Sequence, residues 1–326
     1  MKRISPKGMW EVLKNSFDGF LDNKVLKLSA SLAYYTVFSL APLLIVLLFI
    51  CGKIFGQEAI EGSIYGQIKG FVGPDSAAQL QEIVKNASLA GKSTFAAVIG
   101  VITLLIGATS VFAEIQDSIN TIWGLKAKPG KSIAQFIQTR IASFGVIGSL
   151  GFLLLVSLGV TALVEGLNHR LKDNFPDITV VVFYILNILI TFLVTSSLFA
   201  VIFRVLPDAQ IKFRDVIPGA IATTILFMLG KFGISFYISK SEVGTTYGAA
   251  GSLVVLLVWI YYSSVILYFG AEFTKAYAVK YGSPIHPNKY AVTFRTVDVE
   301  EGKKTVQSAD KKDKEEKAAV AEKDNK

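Results

Sequence analysis

The sequence predicts an all-α, polytopic membrane protein: a bundle of six transmembrane helices with amphipathic interface helices and a charged, disordered C-terminal tail. Three observations lead to this fold class. Hydrophobic residues make up 52% of the 326 residues. Charged residues make up 18%, below the roughly 25% that is usual in soluble domains. Several apolar runs also reach the about 20 residues that a helix needs to cross a bilayer, and one of them, residues 243–271, carries no charged side chain.

The N-terminal segment, residues 1–27, is predicted to be cytoplasmic and to contain an amphipathic helix over residues 8–27. Its apolar side chains recur at helical spacing with charged residues between them: Met9, Trp10, Leu13, Phe17, Phe20 and Leu21. This pattern is typical of a helix that lies in the membrane interface. A helix packed on the protein's own cytoplasmic face would show the same pattern, so both interpretations stay open.

The first predicted span covers residues 28–52, with a small and polar first half and an aliphatic second half. Pro42 lies in its middle and is expected to kink the helix. The connection over residues 53–92 is predicted to form two short amphipathic helices on the membrane surface. The second span, residues 93–113, continues as an amphipathic stretch to Trp123, and Gly124 ends it.

The remaining predicted spans cover residues 141–164, 178–203, 216–239 and 247–271. Together with the first two they form a transmembrane domain over residues 28–273. Residues 274–326 are predicted to be a cytoplasmic, mostly disordered tail, because from about residue 300 the composition is rich in Lys, Glu, Asp and Ala without aromatic residues.

The positions of the basic residues predict the orientation. With six spans, both termini lie on the same side, and that side carries more than twice as many Lys and Arg residues as the other. The positive-inside rule therefore places the N- and C-termini in the cytoplasm. The six basic residues before the first long apolar run argue against a cleavable signal peptide.

The composition also limits the function. The formal net charge is +8, but it is concentrated between apolar runs and in the tail, which suits anionic lipid headgroups better than nucleic acid. The single cysteine, Cys51, allows no intrachain disulfide, and neither histidine has a second ligand at metal-binding spacing. We recognise no nucleophile–base pair, paired carboxylates or phosphate loop, so we expect no enzymatic activity, no metal and no cofactor.

Two groups of residues are candidates for a functional site. The first group is intramembrane and polar, and would line a substrate path: Lys231, Asn187, Tyr34, Tyr35, Pro42 and Tyr261. The second group would gather near the cytoplasmic ends of spans as a vestibule or as ion pairs: Glu114, Asp117, Asn120, Arg204, Arg214 and Glu272. Lys231 is the sharpest of these, because an intramembrane cation marks a cavity or substrate path unless it snorkels to the headgroups.

Five short motifs occur in order along residues 10–280. They are SLAYYTVFSLAPL at residues 31–43, SINTIW at 118–123, LPD at 206–208, YGAAGS at 247–252 and GAE at 270–272. In these motifs the chain resembles the YihY/virulence factor BrkB family of bacterial inner-membrane proteins. The resemblance implies a six-helix, multi-pass plasma-membrane protein. A ribonuclease label has been attached to family members, but these residues do not support such an activity.

Two hypotheses for the function follow. The first is a transporter or flippase-like protein for an envelope lipid or another amphipathic, anionic substrate, with membrane lipids as partners and Lys231 as a charge anchor. The second is a non-catalytic scaffold or envelope-integrity protein that recruits partners through its cytoplasmic helices and tail. The sequence does not identify a substrate, an energy source or an oligomeric state.

Overall fold

The computed structural model describes residues 5–39, 94–127, 176–240, 251–288 and 291–294, which are mostly helical. Helix α1 covers Pro6–Asp22 and α2 covers residues 25–39. They are followed by α3 (Thr94–Trp123), α4 (Pro176–Val205), α5 (Phe213–Lys240) and α6 (Gly251–Tyr281). Within these residues, three segments are long and apolar enough to cross a membrane: Ile188–Val205, Phe213–Ile234 and Leu253–Tyr281. They coincide with the fourth, fifth and sixth predicted spans.

Several predictions fall outside the described residues. These are the third span over residues 141–164, the surface helices over residues 53–92, the second half of the first span with Pro42, and the tail from about residue 300. The count of six spans therefore stays a prediction.

Helix α1 is shorter than predicted, because it ends at Asp22 and not at residue 27. Ser5 caps its start, since the Ser5 hydroxyl accepts a hydrogen bond from the Gly8 N–H at 3.1 Å, and Pro6 follows at the first helical position. Lys24 adopts a left-handed backbone conformation with φ 52°, which interrupts the helical path before α2 begins. The N-terminal segment is thus two helices joined by a turn.

Helix α6 is longer than predicted, because it continues past residue 271 to Tyr281. The extension carries its own apolar side chains, Phe273, Tyr277 and Tyr281, which form a cluster with Val12 of α1. Burial of these rings against α1 stabilises the helix beyond the apolar run. The boundary predicted at residue 274 thus falls inside a packed helix.

Helices α5 and α6 pack antiparallel through glycines and threonines. A Cβ built on Gly219 would overlap the side chain of Thr274, and a Cβ on Gly270 would overlap that of Thr223. Small residues at these positions allow the two backbones to approach closely. Thr223 and Thr274 donate their hydroxyls to carbonyls on their own helices, those of Gly219 and Gly270, at 2.7 Å each. Their polar groups are therefore satisfied inside the interface.

Two short antiparallel ladders, which the all-α prediction did not include, lie beside the helix ends. Strand β1 (Leu125–Ala127) pairs with β4 (Ala291–Thr293), and β2 (Ala209–Gln210) pairs with β3 (His286–Pro287). Each ladder joins a segment after α6 to a segment that follows an earlier helix. The ladders were not predicted because segments of two or three residues are too short to show an alternation of apolar and polar side chains.

The core lies at one end of the bundle. It contains Ile119 and Ile122 from α3, Phe203 from α4, Val216 from α5 and Tyr268 from α6. Within the described residues, these helices expose large apolar side chains toward their opposite ends: Val98, Ile99, Ile102 and Ile106 in α3; Val182, Ile185, Ile188, Leu189 and Leu193 in α4; Leu229, Phe232, Phe236 and Tyr237 in α5; Leu253 and Leu257 in α6. We call the half of the bundle that carries these exposed residues the open half.

Candidate functional site

The end of the bundle that holds the core also holds most of its buried polar groups. The starts of α2 and α5, the ends of α3, α4 and α6, and both strand ladders meet there, and we call this region the polar end. Its buried polar residues include Ser29, Asn120, Asp208, Asp215 and Glu272. Buried polar groups need hydrogen-bond partners, so the contacts of these side chains fix the geometry of the region.

Asp208 is the centre of the largest of these contacts. The residue is 5% exposed and lies in the loop between α4 and α5. Gln116 donates to Oδ1 at 3.0 Å and Asn120 donates to Oδ2 at 2.9 Å, so both carboxylate oxygens are bound by amides of α3. The Asp208 N–H donates back to Asn120 Oδ1 at 2.8 Å, and the Asp208 carbonyl accepts the Asn288 N–H at 2.9 Å. Asp208 therefore ties the loop to α3 and to the segment after α6.

A second contact joins α1 to α6. Glu272 is almost completely buried, and its Oε1 accepts a hydrogen bond from Asn23 Nδ2 at 2.6 Å. A Cβ built on Gly19 would lie 2.5 Å from Glu272 Oε2, so α1 packs directly over the carboxylate. One turn of helix further on, Lys275 Nζ donates to the Ile122 carbonyl at 2.5 Å. A cation at the C-terminus of α3 also complements its helix dipole.

A third contact fixes the far end of α6. Asp215, in the first turn of α5, is buried, and its Oδ2 accepts the Ser283 N–H at 3.1 Å. Arg214 lies 3.8 Å from the same carboxylate, from Nε to Oδ1, and its Nη2 donates to Ser283 Oγ at 3.2 Å. An acidic residue in the first turn of α5 is favourable for that helix as well.

A pocket of about 690 Å³ opens beside these contacts. It lies between the end of α4, the β2–β3 ladder and the start of α5. Its polar lining residues are Arg204, Gln210, Lys212, His286 and Asn288, and its apolar lining residues are Val205, Pro207, Ala209, Ile211, Phe213 and Pro284. The described lining is therefore amphipathic, and it contains two basic side chains and no acidic one.

The open half of α5 contains Lys231. In its first half α5 buries residues three and four apart, such as Ala220, Thr223 and Thr224. From Leu229 onward most of the described side chains are exposed, including Phe232, which is 73% exposed. Lys231 is exposed too, and a Cβ on the neighbouring Gly233 would meet no atom within 4 Å. Lys231 thus lies within a candidate span on an open surface of the helix.

The other intramembrane candidates are dispersed. Tyr34 and Tyr35 are exposed on α2, and the Tyr34 ring lies 4.6 Å from that of Phe38 between centroids. Tyr261 is half-buried on α6. Asn187 lies in α4, but its side chain, like Pro42, is outside the described part of the chain. The structure does not bring Tyr34 or Tyr261 to Lys231 through a contact that it describes.

The vestibule candidates gather at the polar end but contact different partners. Asn120 binds Asp208, Glu272 binds Asn23, and Arg214 binds Ser283. Ser118 donates to Glu114 at 3.5 Å, Asp117 is exposed, and the Arg204 guanidinium lies 5.6 Å from the centroid of the Phe213 ring. Each of the three hydrogen bonds therefore joins a different pair of segments.

Three residues that matter most here were not predicted as site residues: Asp208, Lys212 and His286. Asp208 follows Leu206 and Pro207 in one of the family-like motifs, and its partner Asn120 lies in another. Spacing in the sequence could not pair the two motifs. His286 lies far from Arg204 in the sequence and reaches the pocket only through the β2–β3 ladder.

Helix α1 has three faces at the polar end. Gly8, Val12 and Ser16 are buried against the rest of the protein. A second face exposes Trp10, Leu13, Phe17 and Leu21, so both features weighed for this helix, packing and an apolar outer stripe, are present. The third face is charged, and there Glu11 pairs with Lys280 of α6. The hydrogen bond and charge of Lys280 hold the pKa of the Glu11 carboxyl below its ordinary value of 4.5.

Within the described residues, no group of three or more His, Cys, Asp or Glu side chains is arranged to hold a metal ion.

Comparison with known proteins places this architecture in a family. The family model described as "Virulence factor BrkB" matches residues 16–291. A UPF0761 membrane protein of Vibrio vulnificus (strain YJ016) is 31% identical over 251 residues, covering 75% of each chain. A UPF0761 membrane protein of Pseudoalteromonas atlantica is 27% identical over 244 residues, which are 74% of this chain and 78% of the relative. No solved structure matches. The chain is an integral membrane protein that belongs to the BrkB family.

Proposed function

We propose that this protein is a transporter or flippase-like protein of the bacterial inner membrane that moves an amphipathic, anionic lipid between leaflets. Both termini lie in the cytoplasm in this proposal, so the polar end faces the cytoplasm. The protein acts without a catalytic step, by lowering the barrier to movement of a charged headgroup through the apolar layer.

The observation that carries the proposal is the position of Lys231. It lies inside the candidate span Phe213–Ile234, on the exposed side of α5, with Phe232 and the open space at Gly233 beside it. A charged group in a bilayer interior is costly, and such residues are typical of substrate paths. An anionic headgroup that passes Lys231 would regain part of the electrostatic stabilisation that it loses on leaving water.

The packing of the helices supports the same function. The polar end is joined by buried hydrogen bonds, whereas the open half of α3, α4, α5 and α6 exposes apolar side chains. Acyl chains could lie against the open half while the headgroup follows the cation. The polar end would hold the bundle together during the movement.

The test is lipid translocation in vesicles. The full-length protein is reconstituted in phosphatidylcholine vesicles that contain a trace of fluorescent NBD-phosphatidylglycerol, and dithionite is added outside, with and without an imposed membrane potential. Without translocation, dithionite bleaches only the outer leaflet. The proposal expects the protein to make the inner-leaflet fluorophore accessible, and it expects Lys231→Met to slow this by about tenfold.

Lys240→Met is the matched control, because Lys240 ends the same helix and lies outside the candidate span. It should translocate at the wild-type rate. Equal translocation rates for Lys231→Met and wild type would show that Lys231 is not on the substrate path. If the wild-type protein translocated no lipid with or without the membrane potential, the proposed function would be wrong.

The scaffold alternative is separated by a truncation of the tail. Deletion from residue 290 would also remove β4, which pairs with β1, so the cut is better placed after Phe294. A protein that ends at Phe294 should translocate lipid like the full chain. If that variant translocates lipid but no longer complements cells that lack the protein, the scaffold function would be favoured.

A further inference from the structure

The pocket between α4, the β2–β3 ladder and the start of α5 has the chemistry of an anion site. Arg204 and Lys212 are basic side chains, and the imidazole of His286 can donate a hydrogen bond through a ring N–H. Gln210 and Asn288 add amide side chains to the lining. Because no acidic residue is among the described residues that line the pocket, the two cations give this lining a net positive charge.

The carboxylate of Asp208, which is adjacent in sequence to lining residues, already accepts two hydrogen bonds. Asp208 lies between two lining residues, Pro207 and Ala209, but both of its carboxylate oxygens accept hydrogen bonds from α3. Its carboxylate oxygens are therefore hydrogen-bonded to Gln116 and Asn120, neither of which is among the described lining residues. Asp208 also holds Asn288 through its carbonyl, so it positions the wall of the pocket.

Arg204 has an unused donor. Its Nε is buried and makes no hydrogen bond within the described residues, while its guanidinium lies over the Phe213 ring at 5.6 Å. A buried donor without a partner is costly, so such a group calls for a ligand or another explanation. Guanidinium groups bind phosphate oxygens with directed, charge-assisted hydrogen bonds.

The depth of the pocket points to a lipid. Arg204 and Val205 end one candidate span, Ile188–Val205, and Phe213 begins the next, Phe213–Ile234. The pocket therefore lies where apolar helices leave the membrane, at the level of the headgroups. Val205 and Phe213, which line the pocket, are exposed apolar side chains on the side of the spans.

We propose that this pocket, which we call the Arg204 pocket, binds the phosphate of an anionic phospholipid headgroup through Arg204 and Lys212. This role of the pocket rests on the proposed function, and it specifies that the headgroup of the translocated lipid carries a phosphate. Binding itself needs no translocation, so the two can fail separately.

The test is a binding titration with the full-length protein in a neutral detergent. The probes are short-chain dihexanoyl phosphatidylglycerol, dihexanoyl phosphatidylcholine, glycerol 3-phosphate and inorganic phosphate, and the readout is thermophoresis of the labelled protein. The site should bind the phosphatidylglycerol more tightly than the phosphatidylcholine. Arg204→Gln and Lys212→Gln should each weaken its binding by about tenfold, as expected for the loss of one charge-assisted hydrogen bond.

Lys126→Gln is the matched control, because Lys126 is exposed at the same end of the bundle and does not line the pocket. It should bind within about twofold of wild type. Because Lys212 is exposed, Lys212→Gln should leave the fold intact, so a loss of binding in this variant would not be due to misfolding. Arg204→Lys, which keeps the positive charge, should bind more tightly than Arg204→Gln.

The four probes distinguish the source of the phosphate. If phosphatidylglycerol binds more tightly than inorganic phosphate, and Arg204→Gln and Lys212→Gln weaken that binding, the pocket is a site for a lipid headgroup. Equal binding of inorganic phosphate, with no gain from the lipid, would assign the site to a soluble phosphate and overturn the lipid headgroup. Wild-type affinity for phosphatidylglycerol in both Arg204→Gln and Lys212→Gln would overturn the site itself. If binding holds but wild-type translocation fails, the pocket stands without the proposed function.

Discussion

The polar end and the open half are built from the same helices but differ in how those helices are packed. At the polar end, Gly219 and Gly270 allow α5 and α6 to approach closely, and buried carboxylates bind amides. In the open half of α5, large apolar side chains are exposed beside Lys231. In water such a surface would be a liability, but a lipid bilayer is as apolar as these side chains.

The contrast shows which part of the protein carries stability and which part is free to contact a substrate. Variants at the polar end should change the stability of the folded protein. Variants in the open half should change lipid handling and leave stability nearly unchanged. Substitutions in the two regions, each with a matched control, test that division.

Asp208→Ala should give the largest loss of stability. It removes a buried carboxylate and leaves the amides of Gln116 and Asn120 without their acceptor, which should cost about 3 kcal/mol. The measurement is the midpoint of thermal unfolding in one detergent. Asp18→Ala is the control, because Asp18 is exposed on α1. If both variants melted together, Asp208 would not hold the polar end.

The glycine pair Gly270→Ala and Gly233→Ala compares the two regions with the same substitution. At Gly270 the new Cβ overlaps Thr223, so we expect a loss of about 2 kcal/mol. At Gly233 the Cβ meets no atom within 4 Å, so alanine should be neutral or stabilising by up to about 1 kcal/mol through its helix propensity. Unfolding midpoints of both variants decide this, and equal losses would contradict the difference in packing.

Lys275→Met tests a single contact between α3 and α6. The variant removes the hydrogen bond from Nζ to the Ile122 carbonyl and the cation at the end of α3, and should cost about 1 kcal/mol. Lys126→Met removes a charge from the neighbouring strand β1 and should have almost no effect. A larger shift for Lys126→Met than for Lys275→Met would show that the contact does not stabilise the junction.

The pair formed by Glu11 and Lys280 should give the smallest effect, with a defined pH dependence. Because the pKa of Glu11 is lowered in the folded protein, its contribution to stability is present above the ordinary value of 4.5 and is lost as the pH falls through the lowered folded value. Glu11→Gln should therefore melt slightly below wild type at about pH 7, and the difference should be smaller at a pH below 4.5. A difference that is the same at both pH values would refute this assignment.

The sequence predicted the helices because their signals are local. Apolar runs located α4, α5 and α6 to within a few residues at most ends, and Gly124 ends α3 with φ 67° as expected of a glycine C-cap. The boundaries that failed depend on tertiary contacts. The extension of α6 is stabilised by Val12 of α1, and the turn at Lys24 follows no glycine or proline.

The candidate site was predicted less completely. Lys231 stood out because charge within an apolar run is visible in the sequence alone. Asp208 and the Arg204 pocket did not, because their partners lie in helices and strands distant in sequence. A loop aspartate has no distinctive pattern until the amides of α3 are seen to bind it.

We infer that α5 packs one face against protein in its first half and faces lipid around Lys231, and photo-crosslinking from α5 tests this inference. Benzoylphenylalanine replaces Phe232 in one variant and Phe227 in another. Phe227 packs against Phe199 and Trp259, with centroids 5.9 Å and 6.5 Å away. After irradiation in native membranes, position 232 should gain the mass of a phospholipid, whereas position 227 should form crosslinks to α4 or α6. Crosslinks from position 232 to protein alone would contradict the account.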